Sequence, residues 1–162
     1  MIYKEKKAVD YLVVKELKKK SLTISVAESC TGGKIASLIT GTPGASLYFK
    51  GSLVCYSKSS KINILKVSKD LIDSKGLVSK EVASEMATNA KVFFNSNIAL
   101  SVTGNAGPTR GDLNKKIGTI FIGIAKSSGV KVYKFYFSGD RDNIINSTIK
   151  HSFNLLYEEL IK

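Results

Sequence analysis

With 162 residues, 43% of them hydrophobic, the chain is sized for one domain over residues 1–162 with a core of ordinary volume. No apolar run approaches the roughly 20 residues of a membrane span, the opening Met1-Ile2-Tyr3-Lys4-Glu5-Lys6-Lys7 is no cleavable leader, and two cysteines make neither a disulfide framework nor a CxxC metal pair, so a cytoplasmic protein without membrane attachment is expected. A net charge of +12 would suit a polyanion, but it is almost all lysine, with Arg110 and Arg141 the only arginines and no basic run beyond Lys18-Lys19-Lys20, which predicts a solvated lysine surface instead of a nucleic-acid interface.

Residues 6–20 space Ala8, Val9, Leu12, Val13 and Leu17 for one face of a helix. Residues 21–26 then alternate toward a first strand, which stops at Ser29-Cys30-Thr31-Gly32-Gly33. A helix over 34–40 carries Ile35, Leu38 and Ile39 and is broken by Gly41-Thr42-Pro43-Gly44. Residues 47–56 read as a strand with an irregularity at its glycine, and the polar segment 57–61 enters a short helix through Leu65. Two further helices follow at 68–74 and 79–94, the second capped by Ser79 with Val82, Ala83, Met86, Ala90 and Phe93 on its buried stripe. A short buried strand at 98–102 ends in Thr103-Gly104-Asn105-Ala106-Gly107-Pro108, and 108–116 is a polar loop. Runs 118–125 and 130–137 form a hairpin joined at Ser127-Ser128-Gly129, and 140–161 is the closing helix. Helices between strands, together with a hairpin, predict an α/β fold with a mixed sheet and helices on both faces.

The chemistry concentrates at strand ends. Ser29 sits where a strand runs out, and the N–H groups of Thr31, Gly32 and Gly33 open a helix, an arrangement suited to an anion or a developing oxyanion. A plain helix cap explains Ser29 or Thr31 equally well at this point. His151 is the only histidine, and helical spacing turns it to solvent, away from Ile145, Ile149 and Leu156, so neither a Ser-His-Asp triad nor a histidine metal site can be built. No metal or cofactor is called for. The bases left for Ser29 are carboxylates and lysines, and Lys61, five residues after Tyr56, is the lysine nearest a strand end with an aromatic hydroxyl before it, which would allow a Ser-Lys pair, although by pattern alone one lysine among so many is more often solvent-facing. That role requires its pKa to fall by about 3 units from roughly 10.4. Arg141 lies in the first turn of the closing helix, where a cation opposes the macrodipole, and a disfavoured charge suggests a use in gripping phosphate, while Asp140 as a plain N-cap and Asp142 as an offsetting charge stand as the alternative.

Four spans occur together and in order: Ala27-Glu28-Ser29-Cys30-Thr31-Gly32-Gly33, Tyr56-Ser57-Lys58-Ser59-Ser60-Lys61, Thr103-Gly104-Asn105-Ala106-Gly107-Pro108 and Ser138-Gly139-Asp140-Arg141. In this the chain resembles the competence/damage-inducible protein C-terminal domain family, and its stand-alone members, the nicotinamide-nucleotide amidases, in particular. The resemblance implies a three-layer α/β/α sandwich with a mixed, mostly parallel sheet, and hydrolysis of nicotinamide mononucleotide to nicotinate mononucleotide and ammonia. It implies Ser29 as nucleophile, Lys61 as general base and Tyr56 as a supporting hydroxyl. Cys30, Thr31, Gly32 and Gly33 would hold the oxyanion, Arg141 the 5′-phosphate, and Ser46, Thr103 and Gly104 match positions near the family's pocket. Many members read Gly-Ile-Ala-Gly-Pro where this chain has Gly104-Asn105-Ala106-Gly107-Pro108, which places any difference in substrate fit there. The longer members carry an N-terminal domain similar to molybdopterin-binding proteins, for which this sequence has no counterpart. Apolar strand and helix surfaces on so small a domain point to a homo-oligomer. Two other readings stand beside the amidase: Cys30 as the nucleophile, and a non-catalytic nucleotide- or nucleic-acid-binding module of the same fold.

Overall fold

A computed structural model describes residues 9–162; the first turn of the expected opening helix, with Ala8, lies outside them. The elements run α1 (Val9–Lys19), β1 (Ile24–Glu28), α2 (Lys34–Thr40), a single 3-10 turn (Ala45–Leu47), β2 (Phe49–Val54), α3 (Lys58–Asn63), α4 (Lys69–Lys75), α5 (Lys80–Phe93), β3 (Ile98–Gly104), β4 (Thr119–Lys126), β5 (Gly129–Tyr136) and α6 (Arg141–Ile161). Strand order is β2-β1-β3-β4-β5. β1 pairs parallel with β2 and β3, whereas β3 with β4 and β4 with β5 are antiparallel, so four of the five strands point one way and only β4 opposes them. The sheet is mixed and mostly parallel in direction, between two helical layers.

The two faces of the sheet carry different side chains because strand residues alternate. Ile24 and Val26 of β1, Ile98, Leu100 and Val102 of β3, and Ile120, Ile122 and Ile124 of β4 pack with α1, α2 and α6 in one large cluster. The opposite face presents Ala27, Ala99 and Ala125, which pack under Val82, Met86, Ala87 and Ala90 of α5. Small residues let α5 lie almost on the strands: a Cβ added at Gly123 would stand 2.8 Å from the Ala83 carbonyl oxygen. Hydroxyls fasten the contact, since Ser101 Oγ donates to Ala83 O at 2.6 Å and Ser25 Oγ to Ala90 O at 3.2 Å.

Two details depart from the sequence reading. Phe93 is 61% exposed, and Ala87 takes its place on the buried stripe, which runs from Ala90 on to Phe94 and turns Phe93 outward. Its neighbour Phe94 lies over Gly51, where the β1–β2 register skips a residue, as the glycine in that strand led one to expect. His151 is half-buried and packs against the stacked rings of Phe135 and Phe137, with ring centroids 4.9 and 4.8 Å away, so it is no solvated residue. The α6 face it shares is wider than a simple apolar stripe because Thr148 and Ser152 return their hydroxyls to carbonyls of their own helix and are buried with it.

Candidate functional site

Three chain segments converge at the carboxyl ends of β1, β2 and β3. β1 ends at Glu28, and the chain turns through Ser29 and the left-handed glycines Gly32 and Gly33 into α2. β2 leads through Cys55 and Tyr56 into α3, whose start is fixed by a reciprocal cap: Ser60 N donates to Ser57 Oγ at 3.0 Å and Ser57 N to Ser60 Oγ at 3.1 Å. The cap directs the last turn of α3 inward, and Lys61 is the one buried lysine among the described residues, 2% exposed.

Lys61 Nζ lies 2.8 Å from Ser29 Oγ and donates to the Cys55 carbonyl at 2.6 Å. No carboxylate pairs with it among the described residues. Burial disfavours its ammonium form and lowers its pKa to about 8, against the opposing influence of Cys55 and Cys30. The amine can therefore shed its proton near neutrality, and its remaining N–H groups still hold the Cys55 carbonyl. Cys30, beside Ser29, is driven the other way: burial raises its thiol to about 11 although Lys61 and Arg141 oppose the shift. A thiol at that value is almost wholly protonated at neutral pH, and the chain's one histidine is packed against β5, so the structure argues against Cys30 as the nucleophile.

A cavity of about 150 Å³ opens beside the pair, bounded by Ser29, Cys30, Tyr56, Lys61, Thr103, Gly104 and Arg141 of the expected residues. Thr31, Gly32, Gly33 and Ser46 do not line it. Thr31 is buried with an unpartnered hydroxyl, and Ser46 is exposed in the 3-10 turn. Gly32 N donates back to Ser29 O at 3.0 Å. The expected free helix terminus is already filled by the chain itself: Gly33 N and Ile35 N donate to Glu28 Oε2 at 3.0 and 3.2 Å, and Ala36 N to Oε1 at 2.9 Å. Of the amides that open this turn, those of Cys30 and Thr31 donate to no other residue among those described.

Tyr56 is 60% exposed at the rim, and its hydroxyl receives Arg141 Nη2 at 2.7 Å; its partner is the guanidinium, not Ser29 or Lys61. Arg141 Nη1 donates to Gly107 O at 2.6 Å, so this side chain joins the segments after β2 and β3 across the cavity mouth. Asp140, as its position suggested, caps α6 by accepting from Asn143 N at 2.8 Å.

The far wall is made by Asn105, Ala106, Thr109 and Gly111, in the stretch where a difference in substrate fit was expected, and by Leu77 and Val78 from the junction before α5, which the sequence reading did not find. Asn105 is buried and pins the polar loop, donating from Nδ2 to Asp112 O and Lys115 O at 2.8 and 2.9 Å and accepting from Asp112 N at 3.1 Å. Asp112 in turn accepts from Val78 N at 3.0 Å. A buried amide and a buried carboxylate in a stretch that otherwise reads as solvated loop were the signal available. Among the described residues no group of three or more His, Cys, Asp or Glu could hold a metal ion, and no helix is long and apolar enough to cross a membrane.

Comparison with known proteins agrees with this architecture. The profile of the CinA C-terminal domain family matches residues 6–160. A CinA-like protein of Flavobacterium psychrophilum is 44% identical over 160 residues, covering 99% of this chain and 38% of its own length. A putative competence-damage inducible protein of Halothermothrix orenii is 46% identical over 147 residues, 90% of this chain and 36% of its own. The chain thus spans well under half of these relatives. The crystal structure of a competence-damaged protein (CinA) superfamily member from Klebsiella pneumoniae superimposes with a TM-score of 0.91 over 94% of this chain and 96% of that one, at 24% identity, and so shares the fold.

Proposed function

This chain belongs to the family of CinA C-terminal domains, and from that premise and the geometry at the strand ends we propose that it is an amidohydrolase acting on nicotinamide mononucleotide, with Ser29 as nucleophile and Lys61 as its base. The observation that carries the reading is the 2.8 Å contact between Lys61 Nζ and Ser29 Oγ, made by a buried amine with no carboxylate to keep it charged.

In the proposed reaction, neutral Lys61 takes the Ser29 proton as Oγ attacks the carboxamide carbon, and the carbonyl electron pair moves onto oxygen. The amide of Cys30, which borders the cavity beside Ser29, receives that oxyanion. Lys61 returns the proton to nitrogen, the C–N bond breaks and ammonia departs, leaving an ester on Ser29. Water then attacks the ester, giving its proton to Lys61, and Ser29 leaves with that proton. The products are the carboxylic acid and ammonia. Neutral Lys61 has only to be a minor species in the ground state, and a pKa of about 8 leaves roughly a tenth of it free at pH 7.

The cavity of about 150 Å³ is smaller than the roughly 300 Å³ at which pockets for whole drug-sized ligands begin. It suits a carboxamide-bearing ring, with the ribose and phosphate crossing the rim toward Arg141. Two N–H groups of that guanidinium are engaged by Gly107 and Tyr56, which leaves three of its five for a phosphate. The test is ammonia release from nicotinamide mononucleotide, nicotinamide riboside and free nicotinamide side by side. Turnover of the mononucleotide, lost in Ser29→Ala, is the result expected. No turnover of any of the three, or turnover that survives Ser29→Ala, refutes the assignment.

A further inference from the structure

We propose that Glu28 is a positioning residue for the Ser29–Lys61 pair: it fills the start of α2 with its own carboxylate and leaves the amide of Cys30, which borders the cavity, as the donor for the oxyanion. The proposal rests on the amidohydrolase reading and specifies its site more finely.

A glutamate at the end of a buried strand is costly unless every oxygen is matched, and Glu28 is fully buried. Its two oxygens accept three backbone N–H groups of the following turn, so the carboxylate closes the entry into α2. The same residue reaches the base through its main chain. Glu28 O accepts from Cys55 N at 2.8 Å, and Cys55 O accepts from Lys61 Nζ at 2.6 Å. Glu28 thus holds both partners, the turn beyond Ser29 through its side chain and the strand end beneath Lys61 through its carbonyl. Were the carboxylate absent, the amides of Gly33, Ile35 and Ala36 would be left unpaired and would draw the turn toward water. Burial, opposed by the two thiols, is what moves the ionisation of Lys61, and the Glu28 oxygens are tied to the turn into α2 and not to Nζ.

Replacement in two grades tests this. Glu28→Gln keeps one carbonyl oxygen for Gly33 and Ile35 but turns an NH2 group on the Ala36 amide; Glu28→Ala removes all three bonds. The expected result is kcat lower by about tenfold in Glu28→Gln and by about a hundredfold in Glu28→Ala, with KM within about twofold and the rise of activity near pH 8 in place. A second readout needs no substrate: the rate at which a fluorophosphonate labels Ser29, corrected for the folded fraction by circular dichroism, should fall in the same order. An unchanged labelling rate and kcat, an altered KM alone, a loss of the limb near pH 8, or losses that merely follow the folded fraction would each overturn the proposal. A wild-type protein that labels at Ser29 but releases no ammonia would fail the substrate assignment while leaving the Glu28 test intact; one that does neither would end both.

Discussion

Two buried charges sit at opposite ends of this sheet, and the chain treats them in opposite ways. At the carboxyl ends of the parallel strands, Lys61 is buried without a counterion and its pKa falls to about 8. At the other end, Glu159 of α6 is 4% exposed and surrounded by the ammonium groups of Lys126, Lys131 and Lys162 at 2.6, 2.9 and 2.6 Å. Burial alone would push the Glu159 carboxyl up, but its hydrogen bonds to Lys126, Lys162 and Lys131 prevail and hold it well below the usual carboxylate range. A charge left unpaired is kept ready to change its protonation state. A charge paired three times over is fixed. The first arrangement sacrifices stability for reactivity, and the second does the reverse.

That contrast can be broken at either end. The largest effect belongs to the site: Ser29→Ala and Lys61→Ala should each lower ammonia release from nicotinamide mononucleotide by about a thousandfold or more. Lys61→Met should abolish activity in the same assay and yet raise the urea midpoint below pH 8, because it removes an ammonium that burial disfavours. A midpoint that falls instead would show that Lys61 is structural. Glu159→Gln should do the converse, costing about 3 kcal/mol in urea unfolding while leaving kcat per folded molecule unchanged.

Acidity separates the ends next. Activity should rise about tenfold between pH 7 and pH 9, as Lys61 loses its proton near pH 8. The contribution of Glu159 has the opposite placement: its carboxyl is depressed in the folded state, so the stabilisation is present above the ordinary value of 4.5 and is lost as pH falls through the folded one. Wild type and Glu159→Gln should therefore differ in unfolding midpoint at pH 7 and converge in strong acid. The smallest effect is at the rim. Arg141→Ala should raise KM for the mononucleotide severalfold and leave the riboside unaffected, measured in the same ammonia assay; equal losses for both would remove the phosphate from the account.

Local signals pointed to Ser29 and Lys61, a strand that stops at a hydroxyl before two glycines and a lysine just past a strand-to-helix junction, but a helix cap and a surface lysine fitted the same pattern, and the resemblance of four ordered spans is what paired them. The helices and strands were legible from local signals alone, each from its own periodicity. What stayed hidden depends on contacts between distant segments. Leu77 and Val78 read as an ordinary helix approach, and only the bond from Val78 N to Asp112 brings them to the cavity. Glu28 reads as an interruption of an apolar strand, since nothing in the pattern says that the turn beyond will come back to it. His151 was placed in solvent because the stacked rings of Phe135 and Phe137 belong to another element. Glu159 was one acidic residue in a helix, and its three lysines arrive from two strands and the chain's last residue.

Position 55 shows how little of such a site need be written in side chains. Its N–H and its carbonyl carry the link from Glu28 to Lys61, and its sulfur is no part of that link. Alanine or serine can stand there and preserve the connection. Proline has no hydrogen to offer Glu28, so it would cut the tie between the two halves of the site. The link at this position is therefore carried by backbone chemistry, and its buried surroundings restrict a redesign to small side chains that keep the peptide unit.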